Sequence, residues 1–174
     1  MKTIATLFLS AIMLLVFSCE EEKPKAKKDL TKEEADRLSR EMNAWDVDRQ
    51  QDEIRQYIAR NKWDMKETKS GVYYMLMSAG NGDSAHVGQT AEVTYDIYLL
   101  DGTKCYSSGN EKKEFVIGED YIESGLHEGI QLMRVGDQMR FILPSYLAHG
   151  LTGDQDKIPA RSSVLYEVKL HALH

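Results

Sequence analysis

The sequence predicts an α+β domain: a mostly antiparallel sheet with one packed helix, preceded by an added N-terminal helix. Three observations predict it. Apolar residues recur at helical spacing near the N-terminus, short runs punctuated by turn residues fill the remainder, and strands outnumber helices without regular βαβ alternation. The length of 174 residues, 42% hydrophobic and 29% charged, fits one globular domain with an appendage and excludes a large multidomain enzyme. A formal net charge of -6, with no basic cluster beyond KPKAKK, argues against nucleic acid as a partner.

Residues 1–18 read as an export signal, with Lys2 ahead of an apolar core from Ile4 to Phe17 and a small residue, Ser18, before Cys19. That core falls short of the roughly 20 residues that cross a bilayer, which favours cleavage over a permanent span. VFSC resembles a bacterial lipobox, in which Cys19 would carry the lipid of the mature protein; the other reading is ordinary cleavage leaving a free thiol. Each buried CH2 of an acyl chain contributes about 0.8 kcal/mol, so several chains on Cys19 would anchor the protein without spanning the membrane. The expected location is the cell envelope, with the outer membrane favoured and its face left open. A lipidated Cys19 leaves Cys105 without an intrachain partner. Flanked by strand residues in TKCYSS, with no histidine placed beside it, Cys105 reads as buried rather than catalytic.

Residues 19–28 form a charged stretch that cannot bury apolar surface and reads as a solvated tether. Its three glutamates, Glu20 to Glu22, have two readings, a plain charge run and an acidic surface-export tag. Residues 29–65 form the helical extension, where Thr31 and Glu34 have the capping-box spacing and Ile54, Tyr57 and Ile58 share a face. A break is expected near Asp46. Trp63 and Met65 then alternate with polar neighbours as the chain becomes extended.

Residues 66–174 carry the sheet domain, with strands expected in GVYYMLMSA, TAEVTYDIYLL, TKCYSS, EFVIG, QMRFIL and VLYEVKLHAL. Leu100-Asp101-Gly102-Thr103 is a hairpin turn, and ESGLHEGIQLM a short helix with Leu126, Ile130 and Met133 at helical spacing. The connection PSYLAHGLTGDQDKIP, Pro144 to Pro159, is far longer than a hairpin needs. Its apolar residues, Tyr146, Leu147, Leu151 and Ile158, predict that it packs on something.

No P-loop, GxSxG, HExxH or CxxC motif is present. His127-Glu128 lacks a second histidine, and Asp154 and Asp156 lack the further oxygen donors of a calcium loop, so these aspartates read as turn residues. His171 and His174 read as exposed positions at a strand end. Neither a metal nor a cofactor is expected.

The motifs taken together, VTYDIYLLDG, CYSS, FVIG, GLHEGIQLMRVGD, PSYLAHG and IPARSSVLYEVKL, resemble in order and spacing the FK506-binding-protein (FKBP) type of peptidyl-prolyl isomerase. The similarity runs from about Gly71 to Leu173. It implies an antiparallel sheet wrapped around the short helix, with the long connection overhanging a proline pocket. More closely, the lipobox, the helix ending in NKWDMKE, and the CYSS and ESGLHEGI variants resemble gliding-motility-associated FKBP-type lipoproteins.

By this resemblance the pocket is lined by Tyr95, Tyr106, Phe115, Ile122, Leu126 at its floor, His149, Ile158 and Tyr166. Backbone N–H groups at Ile122 and Glu123 would hold the substrate carbonyl. Tyr95, Phe115, Leu126 and Tyr166 equally suit plain core packing, Phe115 most of all. The family usually has Phe-Asp where Cys105 and Tyr106 stand, Trp where Leu126 stands and Tyr where His149 stands. These departures leave the fold intact and put catalytic efficiency and drug binding in question.

The resemblance implies a lipid-anchored peptidyl-prolyl cis-trans isomerase of the envelope that acts on proline-containing unfolded or exported polypeptides. No cofactor, no nucleic acid and a monomeric state are expected. The alternative is a weakly catalytic or non-catalytic chaperone or binding module of a gliding or secretion machinery, with Met75 and Met77 as adaptable surface.

Overall fold

The computed structural model describes residues 31–174; the signal segment, Cys19 and the charged tether lie outside them. The first element, α1 (Lys32–Asn61), opens with a complete capping box between Thr31 and Glu34 and closes on Lys62 in the left-handed region. It runs unbroken through Asp46, where a break was expected. The Asp46 side chain bonds to Arg49 and Gln50 on its own helix, so its polar group is matched without unwinding the backbone.

Seven strands follow among the described residues: β1 (Lys66–Glu67), β2 (Tyr73–Ser78), β3 (Thr90–Leu99), β4 (Lys104–Ser107), β5 (Lys113–Val116), β6 (Gln138–Leu143) and β7 (Val164–Leu173). All pair antiparallel in the order β1-β2-β6-β7-β3-β4, while β5 pairs with the start of β3. The expected turn after β3 is present, with Gly102 at φ +92° and the Leu99 N–H donating to Thr103 O at 2.9 Å.

A short helix, α2 (Ser124–Ile130), packs on one face of the sheet. There it meets Phe141, Tyr166, Val168 and Leu170, and Leu126, Ile130 and Met133 all point into this core. Contact is close at Gly129, where a Cβ would lie 3.0 Å from the Phe141 ring. The opposite face is covered by the second half of α1, whose Ile54, Tyr57 and Ile58 pack with Tyr73, Ile142 and Leu165. This explains the continuous FIL run in β6: Phe141 and Leu143 face α2 while Ile142 faces α1, so the strand is buried on both sides. Trp63 continues the outer layer, with the Arg140 guanidinium 4.1 Å from its ring and paired with Glu167.

Candidate active site

A cavity of about 420 Å³ opens between β3, β4, β5, β7, the N-terminal end of α2 and the long connection after β6. Strand β3 builds one wall by simple alternation, presenting Val93, Tyr95 and Ile97 to the same side. The Tyr95 N–H is held by Ser108 Oγ at 2.9 Å, and its ring lies 6.3 Å from that of Tyr166. Tyr166, almost fully buried on β7, closes the base with Leu126 from α2. Tyr106, Phe115, Ile122, Glu123 and His149 complete the set brought together from the sequence reading.

Ile158 is the exception. It is fully buried in the core beneath the flap and is not a cavity wall, because Asp154 takes its N–H at 2.8 Å and turns the side chain inward. The backbone donors also differ from expectation. Ile122 N–H is already bonded to Asp120 O at 2.9 Å, whereas Glu123 N–H has no backbone acceptor among the described residues and lies by its own carboxylate. Of the two donors, the Glu123 N–H is the one not tied to a backbone carbonyl among the described residues, and a substrate carbonyl would take the place of its own carboxylate there.

The flap, Pro144 to Arg161, begins with a single 3-10 turn at Ser145–Leu147 and needs left-handed backbone at Gly150, Gly153, Gln155 and Arg161. Asp154 organises it. One carboxylate oxygen accepts the N–H groups of Asp156 and Ile158, and the other accepts the hydroxyl of Tyr106 across the cavity. Burial pulls the Asp154 carboxyl up, but Tyr106 and the two N–H groups outweigh it and hold the group at about 2. The Tyr106 phenol is raised in turn by Asp154, by burial and by Asp156, whose carboxylate accepts the same hydroxyl at 3.1 Å. Both carboxylates that meet the Tyr106 hydroxyl come from the flap.

At the mouth, His149 Nε2 lies 2.9 Å from Glu123 Oε1, an ion pair when the imidazole is protonated. Glu123 raises the His149 pKa against the opposing effect of burial. Burial also lifts the Glu123 carboxyl, yet His149, its own N–H and the Tyr166 hydroxyl together hold it below the ordinary glutamate value.

Sequence reasoning missed Val93, Ile97, Lys113, Glu114, Tyr121 and Asp154 as lining residues. Val93 and Ile97 were recoverable from the period-two pattern around Tyr95; Asp154 carried no signal beyond its turn propensity. His127 staples the loop before α2: its Nδ1 accepts Gly118 N–H at 2.8 Å and its Nε2 donates to Asp120 O at 2.9 Å.

The sequence and fold have clear relatives. The family model for the FKBP-type peptidyl-prolyl cis-trans isomerase matches residues 82–171. The FKBP-type peptidyl-prolyl cis-trans isomerase FkpA of Aeromonas hydrophila is 33% identical over 83% of this chain and 52% of its own length. The macrophage infectivity potentiator of Trypanosoma cruzi is 33% identical over 62% of this chain and 55% of its own. The chain spans about half the length of the curated relatives it matches. Among solved structures, a peptidyl-prolyl cis-trans isomerase from Pseudomonas syringae superposes with a TM-score of 0.60 at 26% identity, covering 68% of this chain and 89% of that one. FkpA from Escherichia coli, at 22% identity, shares the fold with a TM-score of 0.64 over 84% of this chain and 75% of that one. With the family match spanning β3 to β6, α2, the flap and most of β7, and so every residue that lines the cavity, this chain belongs to the FKBP-type peptidyl-prolyl cis-trans isomerase family.

Proposed function

We propose that this protein is a peptidyl-prolyl cis-trans isomerase whose reaction takes place in the cavity beneath the flap. The observation that carries the reading is the cavity itself, whose walls are largely aromatic and aliphatic, from Tyr95, Ile97, Phe115, Ile122, Leu126 and Tyr166. Rotation about an Xaa-Pro bond faces a barrier of about 18–20 kcal/mol, because the twisted amide loses its resonance. The planar amide is strongly dipolar and well hydrated, while the twisted form is less so. An apolar cavity from which the bound substrate displaces water therefore disfavours the ground state relative to the transition state, and no nucleophile is needed. The Glu123 N–H is the donor suited to hold a substrate carbonyl, and Tyr106 and His149 hold the flap over the ring.

The clients that fit this reading are proline-containing unfolded or exported polypeptides, whose uncatalysed isomerisation takes tens to hundreds of seconds and limits folding. The lipobox-like VFSC and the charged tether support a lipid-anchored protein of the cell envelope, and the ESGLHEGI and NKWDMKE variants support membership of the gliding-associated lipoproteins. Replacing Cys19 with alanine is expected to release the protein from the membrane fraction; unchanged retention would remove the anchor. A proline-limited refolding assay tests the activity. Catalysis in proportion to protein concentration is expected, and a rate equal to the uncatalysed control would sink the proposal.

One observation favours a second reading, a holding module. Leu38, Met42 and Trp45 on the first half of α1, and Leu76 and Met77 on β2, are exposed. Suppression of client aggregation without any isomerisation is the result that separates the two.

A further inference from the structure

Two polar residues on the inner face of α1 have no role in the cavity. Asp46 and Gln50 stand two turns and one turn before Ile54 on the same face, and are only 5% and 1% exposed. A buried polar group destabilises the fold unless it is matched, and both are matched by the flap. Gln50 Oε1 accepts the N–H of Ser145, the first residue of the flap turn, at 2.8 Å. Gln50 Nε2 donates to Asp46 Oδ2 at 2.9 Å, and that same carboxylate oxygen lies 3.1 Å from the Arg161 guanidinium at the far end of the flap. Arg161 is held at φ +58°, and its N–H donates to Gly150 O at 3.0 Å, next to His149. Gly150 N–H in turn donates to Ser145 O at 2.7 Å. Both ends of the flap are thus referenced to two adjacent turns of α1, which lies outside the matched family region.

We propose that Asp46 and Gln50 are positioning residues of the isomerase, a clamp by which the N-terminal helix fixes the flap carrying His149 and Asp154 in its closed geometry. This rests on the isomerase reading of the cavity. Ile54, Tyr57 and Trp63 dock α1 on the sheet independently of the clamp, so its loss loosens the flap without releasing the helix. A loosened flap is competent for only part of the time, which raises the apparent dissociation constant by the inverse of that fraction and leaves the bound complex unchanged.

The test compares Gln50→Ala and Asp46→Asn with Arg37→Ala, a control on the exposed part of α1 whose ion pair with Glu41 is solvated. Amide hydrogen exchange is read over 145–161 and over β7, and KM and kcat are measured with a short Xaa-Pro peptide. Both clamp variants are expected to exchange faster in the flap but not in β7, and to raise KM about three- to tenfold with kcat within about twofold. Flap exchange equal to that of the control, or a fall in kcat at unchanged KM, would overturn the clamp. The exchange arm needs no turnover, so an inactive wild type would refute the isomerase reading while the clamp remained measurable. Should Gln50→Ala not fold, Asp46→Asn, which keeps the shape of the side chain, carries both readouts.

Discussion

Glu123 and His149 meet at the mouth of the cavity with 2.9 Å between Oε1 and Nε2, one at the N-cap of α2 and the other on the flap. The pair joins the donor loop to the lid, and its charge depends on pH. His149 binds its proton more tightly in the folded state, so its contribution to stability is complete below about pH 6.5 and is lost as pH rises through the raised folded value. Glu123 has a lowered value, so its contribution holds above about pH 4.3 and is lost as pH falls through the folded value. Stability from the pair therefore spans mildly acidic pH.

In denaturant titrations from pH 6 to 8.5, wild type should lose stability from this pair as pH rises, and Glu123→Gln should lose less. His171, pulled down chiefly by burial, gives a slope of the opposite sign in both proteins, so their difference isolates the pair. Parallel profiles would contradict the assignment.

Tyr106→Phe removes the hydroxyl that Asp154 and Asp156 share. Two carboxylates lose a shared donor at a site that water can reach, so a modest fall in the thermal unfolding midpoint is expected. With the flap less ordered, kcat/KM should fall several-fold. Unchanged activity would remove Tyr106 from the site.

Two flap glycines provide an internal contrast. Both are left-handed, at φ +65° for Gly150 and +69° for Gly153, yet a Cβ at Gly150 meets nothing within 4 Å while one at Gly153 would lie 2.1 Å from Ile158 O. Gly150→Ala should lose roughly 1–2 kcal/mol from backbone strain alone. Gly153→Ala should lose clearly more, because the backbone of the turn must shift. Equal stabilities would show that the turn at Gly153 is looser than described.

Leu126→Ala deepens the cavity floor. The side chain is 6% exposed and packs in the main core, so a loss of about 2–3 kcal/mol is expected in the denaturant midpoint, at the low end for leucine because the site borders an open cavity. Activity should fall as water enters. A neutral effect on both would place the reacting amide elsewhere.

The sheet was legible because its alternation is local. Tyr95 was read from its strand and its alternating neighbours Val93 and Ile97 follow by period two, while QMRFIL read as a strand whose burial on both faces emerged only from its packing. The family and most of the lining came from motif order. What stayed hidden depends on contacts remote in sequence: Gln50 meets Ser145 across 95 positions, and Tyr106 meets Asp154 across 48. Asp46 looked like a helix break because an aspartate in mid-helix is usually a cap, and only its fixed partners, Arg49, Gln50 and Arg161, make it an interior residue. Ile158 looked like a pocket residue because it is apolar and sits in the flap; the turn that buries it is set by Asp154.

The central claim, that an apolar cavity beneath the flap turns over proline amides, is tested most directly by exchange spectroscopy on a short Xaa-Pro peptide with catalytic amounts of the protein. Cis–trans exchange faster than in free peptide, with chemical-shift changes centred on Tyr95, Ile122, Glu123 and Tyr166, is the predicted result. Exchange at the free-peptide rate, or shift changes confined to α1 and β2, would contradict it.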